Sequence, residues 1–479
     1  MPLKVLPATL ALLTLPALCP TASAQSSPAH LLHPAGSSND LFGAAVAVDG
    51  DVAIVGVPLD NVDGNGVKGS AIVYRRTGLG WLYEATLTAD DGAHNDRFGL
   101  SVSISGDTAL VGASQHDVGT ESNQGSAYVF TRSGGAWVQQ AHLLAADGAR
   151  SDAFGYAVSV SGDTAVVTSI NDDIWTANQG SAYVFTRSAG VWTQQAKLVA
   201  TDGAETDSLG YSVSVSGDTA VVGVPLRDVG ASLAQGAAYV FVRTGATWHQ
   251  EAHLSAADGA QSDWFGYSVS LSGNTIVIGA PYHHVGGGVQ AGSAYVYTRS
   301  GTTWSEQGQL VAGDGTGGDL LGYSVSVSGD TAVVGAPSTS VDGFPDQGAA
   351  YLFARSGQSW SQQAKLLDPG APHDDEFGNS VVVNGDVVVI GSERDSNAPG
   401  NIQGSAWVFN LGDGCDLTDF NGDGLYPDTA DIDDFLSVFS GGPCSTNDCG
   451  DLDFNNDGLF PDTLDIDSLL SVFSGGACL

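Results

Sequence analysis

One motif repeated seven times constrains this chain more than any other feature. The pair Phe-Gly or Leu-Gly opens copies at Phe42, Phe98, Phe154, Leu209, Phe265, Leu321 and Phe377, at spacings of 56, 56, 55, 56, 56 and 56 residues. The missing residue falls between Thr168 and Gln179, because every other landmark of that copy keeps step. A period of this kind means one supersecondary unit stacked on copies of itself, so the 479 residues do not divide by length into independent domains.

The fourth copy shows the grammar of all of them. Val and Ser alternate over Ser212 to Ser216 with the period of two that marks a strand, and Gly217-Asp218 is a two-residue hairpin turn. A second strand is predicted at Thr219 to Val224. After a long loop from Pro225 to Gln235, a third follows at Ala237 to Arg243 and a fourth at Trp248 to Leu254. Four antiparallel strands per copy, with no helical periodicity, predict a propeller blade.

The two ends of the repeat region are out of phase in a complementary way. Ala29-His30-Leu31-Leu32 precedes Phe42 as Ala141-His142-Leu143-Leu144 precedes Phe154, so the chain opens on a fourth strand. The last copy supplies three strands, ending at Trp407-Val408-Phe409, and no fourth. A closed ring resolves both, since the opening strand completes the last blade and removes two bare sheet edges. The expected fold is therefore all-β, a seven-bladed β-propeller sealed by its N-terminal strand, followed by a small α-helical calcium-loop domain.

At this point the repeat resembles a known family. The Phe-Gly opening, with Gly279-Ala280-Pro281 and Gly335-Ala336-Pro337, resembles the FG-GAP repeats of the integrin α-subunit propeller and of many bacterial surface proteins, over residues 29 to about 411. Gly112-Ala113-Ser114, Thr168-Ser169-Ile170 and Gly391-Ser392-Glu393 depart from the motif. Many FG-GAP repeats also carry an Asp-x-Asp-x-Asp-Gly calcium loop between the first two strands. Here that connection is Ser-Gly-Asp-Thr or a relative of it, so no calcium is expected in the propeller.

The N-terminus points to export. Met1 to Lys4 carry one positive charge, Val5 to Cys19 are almost wholly apolar, and Ala22-Ser23-Ala24 fits signal peptidase, with cleavage before Gln25. The apolar run is too short for a bilayer and is broken by Pro7 and Pro16, so no membrane span is expected. With 15 Lys plus Arg against 53 Asp plus Glu, a formal charge of −38 repels nucleic acid and anionic lipid and favours divalent cations. The predicted organisation is a signal peptide over residues 1–24, the propeller over 25–411 and the tail over 412–479, with the mature protein secreted or held at the cell surface.

The tail contains a duplicated metal-loop pattern. Asp419, Asn421 and Asp423, followed by Gly424, recur 34 residues later as Asp453, Asn455 and Asp457, followed by Gly458. Oxygen ligands at loop positions one, three and five before a turn glycine suit calcium. Asp428 and Asp431, or Asp462 and Asp465, continue each loop, and Ile432, Phe435, Leu436 and Phe439 follow at helical spacing. Two calcium loops, each with one short helix, resemble dockerin over roughly Cys415 to Leu479, which implies a cohesin-like or other surface protein as docking partner. One extra loop residue displaces the last ligand to Asp431 and Asp465. Cys415 and Cys444 bracket the first unit as Cys449 and Cys478 bracket the second. In an oxidising compartment two disulfides are expected, pairing within each unit being the simplest of three connectivities.

Repetition also separates scaffold from function. Asp40, Asp96, Asp152, Asp207, Asp263, Asp319 and Asp375 stand two positions before every copy, which points to turn or strand capping. The hairpin acids, such as Asp163 and Asp218, and the third-strand arginines, such as Arg187 and Arg243, are expected to pair at one rim, and the fourth-strand tryptophans to pack along the outer strands. Function is expected where blades differ, in the long loops between second and third strands. These offer Asp117, Asp172 with Asp173 and Trp175, His283 with His284, and Asp342 with Phe344. Adjacent residues on a strand point to opposite sides, which argues against His283-His284 as a metal pair. With no Ser/His/Asp motif, zinc spacing or carboxylate pair outside the repeat pattern, the expected function is not enzymatic. It is binding of a protein or glycan on the propeller face, and the alternative is an extracellular hydrolase or lyase anchored by the same tail.

Overall fold

The period-two segment at the head of each copy, Val alternating with Ser in five of the seven, builds the innermost strand of a blade, and the residues after it complete the sheet outward. The computed structural model describes residues 24–64, 66–286, 290–341, 343–370, 375–398 and 401–411. Among these residues lie seven four-stranded antiparallel sheets in ring order. In the fourth blade the strands are Ser212–Ser216, Thr219–Val224, Ala237–Thr244 and Thr247–Leu254, so the third extends one residue beyond the sequence expectation and the fourth begins one earlier.

The ring closes as the phase of its ends predicts. Ala24–Leu31 pairs antiparallel with Ser405–Leu411, with Ala29 opposite Val408, His30 opposite Trp407 and Leu31 opposite Ala406. The strand begins at Ala24, one residue inside the predicted leader, and the expected cleavage before Gln25 would make Gln25 opposite Asn410 its first pair. His30 stacks flat on Trp407, ring centroids 4.0 Å apart. Leu31 is buried beside Phe42, Ile72, Val389 and Val408, which belong to the first and last blades.

Among the described residues no single core fills the ring. Each of their seven apolar clusters lies between two neighbouring blades, as where Val240 and Leu254 of the fourth meet Phe265, Ile276 and Tyr295 of the fifth. The opening Phe or Leu is at most 1 % exposed in every copy, and it forms a parallel bridge to the glycine before the previous blade's third strand, as in Gly69 with Phe98. The glycine after it must be glycine. At Gly99 φ is +90°, and a Cβ would stand 2.1 Å from the Ser70 carbonyl oxygen of the neighbouring blade.

The serines of the innermost strands are inter-blade straps. Ser103, Ser159, Ser214, Ser270 and Ser326 each accept a hydrogen bond from a backbone N–H of the next blade at 2.9 to 3.1 Å. Ala47 and Val382 occupy this position in the first and last blades, so those two seams rely on other links. At the closing seam Ser380 donates to the Gly43 carbonyl (2.7 Å) and Asn384 to Asp49 (3.3 Å).

The rim of short hairpins carries the expected ion pairs. Arg187 meets Asp163 and Arg243 meets Asp218, each at 2.6 Å, while Arg76 crosses the closing seam to Asp386 at 3.3 Å. The acids are more than half exposed, so each pair contributes about 0–1 kcal/mol. The guanidiniums also lie over the fourth-strand indoles of Trp192, Trp248, Trp304 and Trp360 at 5.1 to 5.5 Å. The indole N–H of Trp192 and Trp248 in turn donates to a glutamine of the previous blade at 2.9 Å.

Truncating Leu31 to Ala should lower unfolding free energy by about 2–4 kcal/mol through a cavity at the closing seam. The same change at Leu82, 45 % exposed on an outer strand, should stay within about 0.5 kcal/mol. Urea titration of both variants checks the contrast.

Candidate functional site

The long loops between second and third strands and the connections between blades share one face. Entry to each blade on that face is shaped by the aspartate two residues before the repeat start. Asp96, Asp152 and Asp263 are buried, and each accepts a hydrogen bond from the backbone N–H three residues earlier at 2.6 to 2.7 Å. Asp40 does the same with Ser37. The residue after the cap is forced into the left-handed region in every blade, at Leu41, Arg97, Ala153, Ser208, Trp264, Leu320 and Glu376, with φ between 54° and 63°.

Beneath the face, a buried polar cluster recurs with different chemistry in each blade. In the third, Asp172 accepts from Ser181 Oγ (2.5 Å), Tyr183 Oη (2.9 Å) and Lys197 Nζ (2.7 Å), and Lys197 also reaches Asp147. Burial opposes the Lys197 ammonium, but Asp147 and Asp172 outweigh it and raise its pKa. In the fourth blade Arg227 bridges Asp207 (2.7 Å) and Asp202 (3.0 Å). In the fifth, His283 Nδ1 bonds Asp263 at 2.9 Å, and Nε2 lies 3.6 Å from Asp258. The seventh gathers Asp368, Asp375 and Asp395 with carboxylate oxygens within 4.8 Å of one another. Burial pushes Asp368 up to about 6, so below that pH a proton there offsets part of the charge crowding.

Several loop residues singled out from the sequence serve the loops themselves. Asp117 Oδ1 accepts from Asn123 N (2.8 Å) and Asp173 Oδ1 from Asn178 N (2.7 Å), closing their loops as side-chain turns. Asp172 and His283 are buried and engaged internally, so they belong to the blade interior rather than to an open face. His283 and His284 stand in a turn beyond the strand, not on it, with His284 exposed. Trp175 is 64 % exposed and Phe344 45 %, and Asp342 lies outside the described residues. On the third blade, a polar cleft of about 300 Å³ is lined by Asp147, Arg150, Asp152, Asn171, Asp173 and Lys197.

The residue two places after each repeat start brings the blades together around the axis. Four consecutive blades place Tyr156, Tyr211, Tyr267 and Tyr323 there, with neighbouring ring centroids 5.3, 4.9 and 4.9 Å apart and planes tilted by 44–54°. In a sevenfold ring that spacing puts the ring centres about 6 Å from the axis. The other three blades carry Ala44, Leu100 and Asn379, so an aromatic crescent faces a half without aromatic rings. Trp264 stacks on Tyr267 and packs edge-on to Tyr282. At one end lies Glu393, pushed up to about 7 by burial and by Glu376, which itself pairs with Arg394 at 3.2 Å. Arg97 lies near Tyr156 at the other end.

The sequence pattern of the FG-GAP repeat family matches residues 26–74, 81–130, 137–185, 192–241, 248–297, 304–353 and 360–409. The chain belongs to the FG-GAP repeat family. Each FG-GAP unit starts on the outermost strand of one blade and ends on the third strand of the next, so every match straddles a seam. No curated protein matches the chain. The FG-GAP propeller is a binding or adhesion type of fold, and no helix among its described residues is long and apolar enough to cross a membrane.

Sequence reasoning passed over the crescent. Its signal was the tyrosine that follows Phe-Gly or Leu-Gly in four successive FG-GAP copies and in no other. The calcium loops expected in the tail, from Asp419 to Asp431 and Asp453 to Asp465, and the expected disulfide residues Cys415, Cys444, Cys449 and Cys478 lie outside the described residues.

Burial raises the carboxyls of Asp40, Asp96, Asp152, Asp368 and Glu393, so the folded state binds their protons more tightly than the unfolded chain. Their contribution is present at low pH and is lost as pH rises through about 4 to 7. His142 and His253, lowered by burial, act in the opposite sense below about pH 6.5, but are outnumbered. Thermal melts should therefore give a higher Tm near pH 5 than near pH 7.5, and Asp368→Asn should narrow the difference.

Proposed function

We propose that this is a secreted, non-catalytic binding protein whose propeller recognises a ligand at the channel mouth and whose tail anchors it. The observation that carries this reading is where the blades differ. Aspartates present in every copy are taken up by turns, whereas the residues exchanged from blade to blade, including Trp264, the four tyrosines and Glu393, gather around one axial opening. A site built from several blades suits recognition, because each blade contributes a different group to one ligand.

The anchoring half rests on the tail's sequence. Its duplicated Asp-x-Asn-x-Asp-Gly pattern supplies oxygen donors suited to two calcium ions, and the resemblance to dockerin makes a cohesin-like or other surface protein the partner. The leader places the protein outside the cell, where its four tail cysteines are free to oxidise to two disulfides. In a domain this small, calcium and disulfides supply much of the stability.

The full-length protein, immobilised and exposed to extracellular extract, should retain two separable sets of molecules. Asp423→Ala with Asp457→Ala, or a chelator, should release the tail's partner and leave the propeller's ligand bound. Tail-dependent retention that survives chelation would contradict calcium docking, and turnover of a polysaccharide or peptide by the purified protein would overturn the non-catalytic reading.

A further inference from the structure

We infer that the channel mouth is a subsite for the terminal hexose ring of a neutral glycan. The inference rests on the recognition reading above and adds the class of ligand. Its first support is shape. With ring centres about 6 Å from the axis, the opening admits one ring or side chain and no larger body. Tyrosines wall one half, while the other carries the smaller side chains of Ala44, Leu100 and Asn379.

The second support is the mixture of groups. A hexose has C–H bonds on one face and hydroxyls around its edge. Aromatic faces carry the negative lobe of the ring quadrupole and attract polarised C–H groups, and tyrosine adds a hydroxyl that both donates and accepts. The hydroxyls of Tyr156 and Tyr267 keep their protons, because burial and then their tyrosine neighbours raise both far above the ordinary phenol range. On the side without rings Asn379 is nine-tenths buried. Its Nδ2 donates to the Gly43 carbonyl (3.3 Å), and its Oδ1 has no donor among the described residues. An acceptor left in that state is satisfied if the side chain turns to meet a ligand hydroxyl.

Charge selects the neutral member of the class. Although the chain carries −38 overall, the mouth is close to balanced, with Arg97 near Tyr156, and Arg394, Glu376 and Glu393 near Tyr323. An anionic sugar would meet Glu393 and the field of the whole protein, and a cation would meet an arginine at either end. A neutral ring loses nothing to either.

The test uses the full-length protein in chelator, which keeps the tail's calcium loops out of the readout, on an array of neutral, sialylated and sulfated glycans. Basic peptides are included as competitors. Neutral hexose-terminated glycans should be retained, with a shift in tryptophan fluorescence as the ring packs near Trp264. Tyr267→Ala and Trp264→Ala should each weaken that binding by about tenfold or more in calorimetric titration. Trp264 lies at the rim, so its variant keeps the test valid if Tyr267→Ala unfolds. Retention only of acidic glycans or basic peptides, lost in the same variants, would overturn the ligand class and leave the recognition reading standing. Neutral-glycan binding untouched by both substitutions, or no glycan retained at all, would overturn the subsite.

Discussion

The pairing of Ala24–Leu31 with Ser405–Leu411 is the interaction on which the rest of the propeller depends. Because apolar burial lies between blades rather than at a common centre, each blade is stable only while it has two neighbours. In an open row, the two terminal blades would each expose a face of Val, Ile and Phe, and one would expose a bare sheet edge. One N-terminal strand removes those liabilities together. The closing seam lacks the middle serine strap found at five other seams, and Leu31, Ser380, Asn379, the Asn384–Asp49 contact and the Arg76–Asp386 pair hold it.

The repeated residues and the exchanged residues do different work. Phe98, Gly99, Gly69 and the serines of the inner strands bring neighbouring backbones within touching distance, and a change at any of them would disturb a seam. The exchanged positions sit where the chain has already turned, so their side chains vary without altering how blades pack. This is why a motif tied to structure and a mouth tied to recognition coexist in units of 56 residues.

Strand positions, blade count and closure were legible from the sequence, because they follow from periods of two and of 56 that survive substitution. The burial of Asp172 and His283 was not. Each stands at the start of a long polar loop, which reads as exposed, yet the first residues of that loop fold back under the face onto Lys197 or Asp263. The tyrosine crescent escaped for another reason. Tyr211 reads locally as one more strand residue, and only the ring brings it within 5.3 Å of Tyr156 and 4.9 Å of Tyr267, partners 55 and 56 residues away.

The left-handed residue after each capping aspartate has a further consequence. Glycine would suit that backbone best, and a side chain there is disfavoured by about 1–2 kcal/mol. The chain nevertheless holds Arg97, Trp264 and Glu376 in it. Seven such sockets, identical in backbone and open in identity, let the opening be re-equipped one blade at a time. A change of specificity then requires no new loop and no new fold, only a different residue in a conformation the scaffold already imposes.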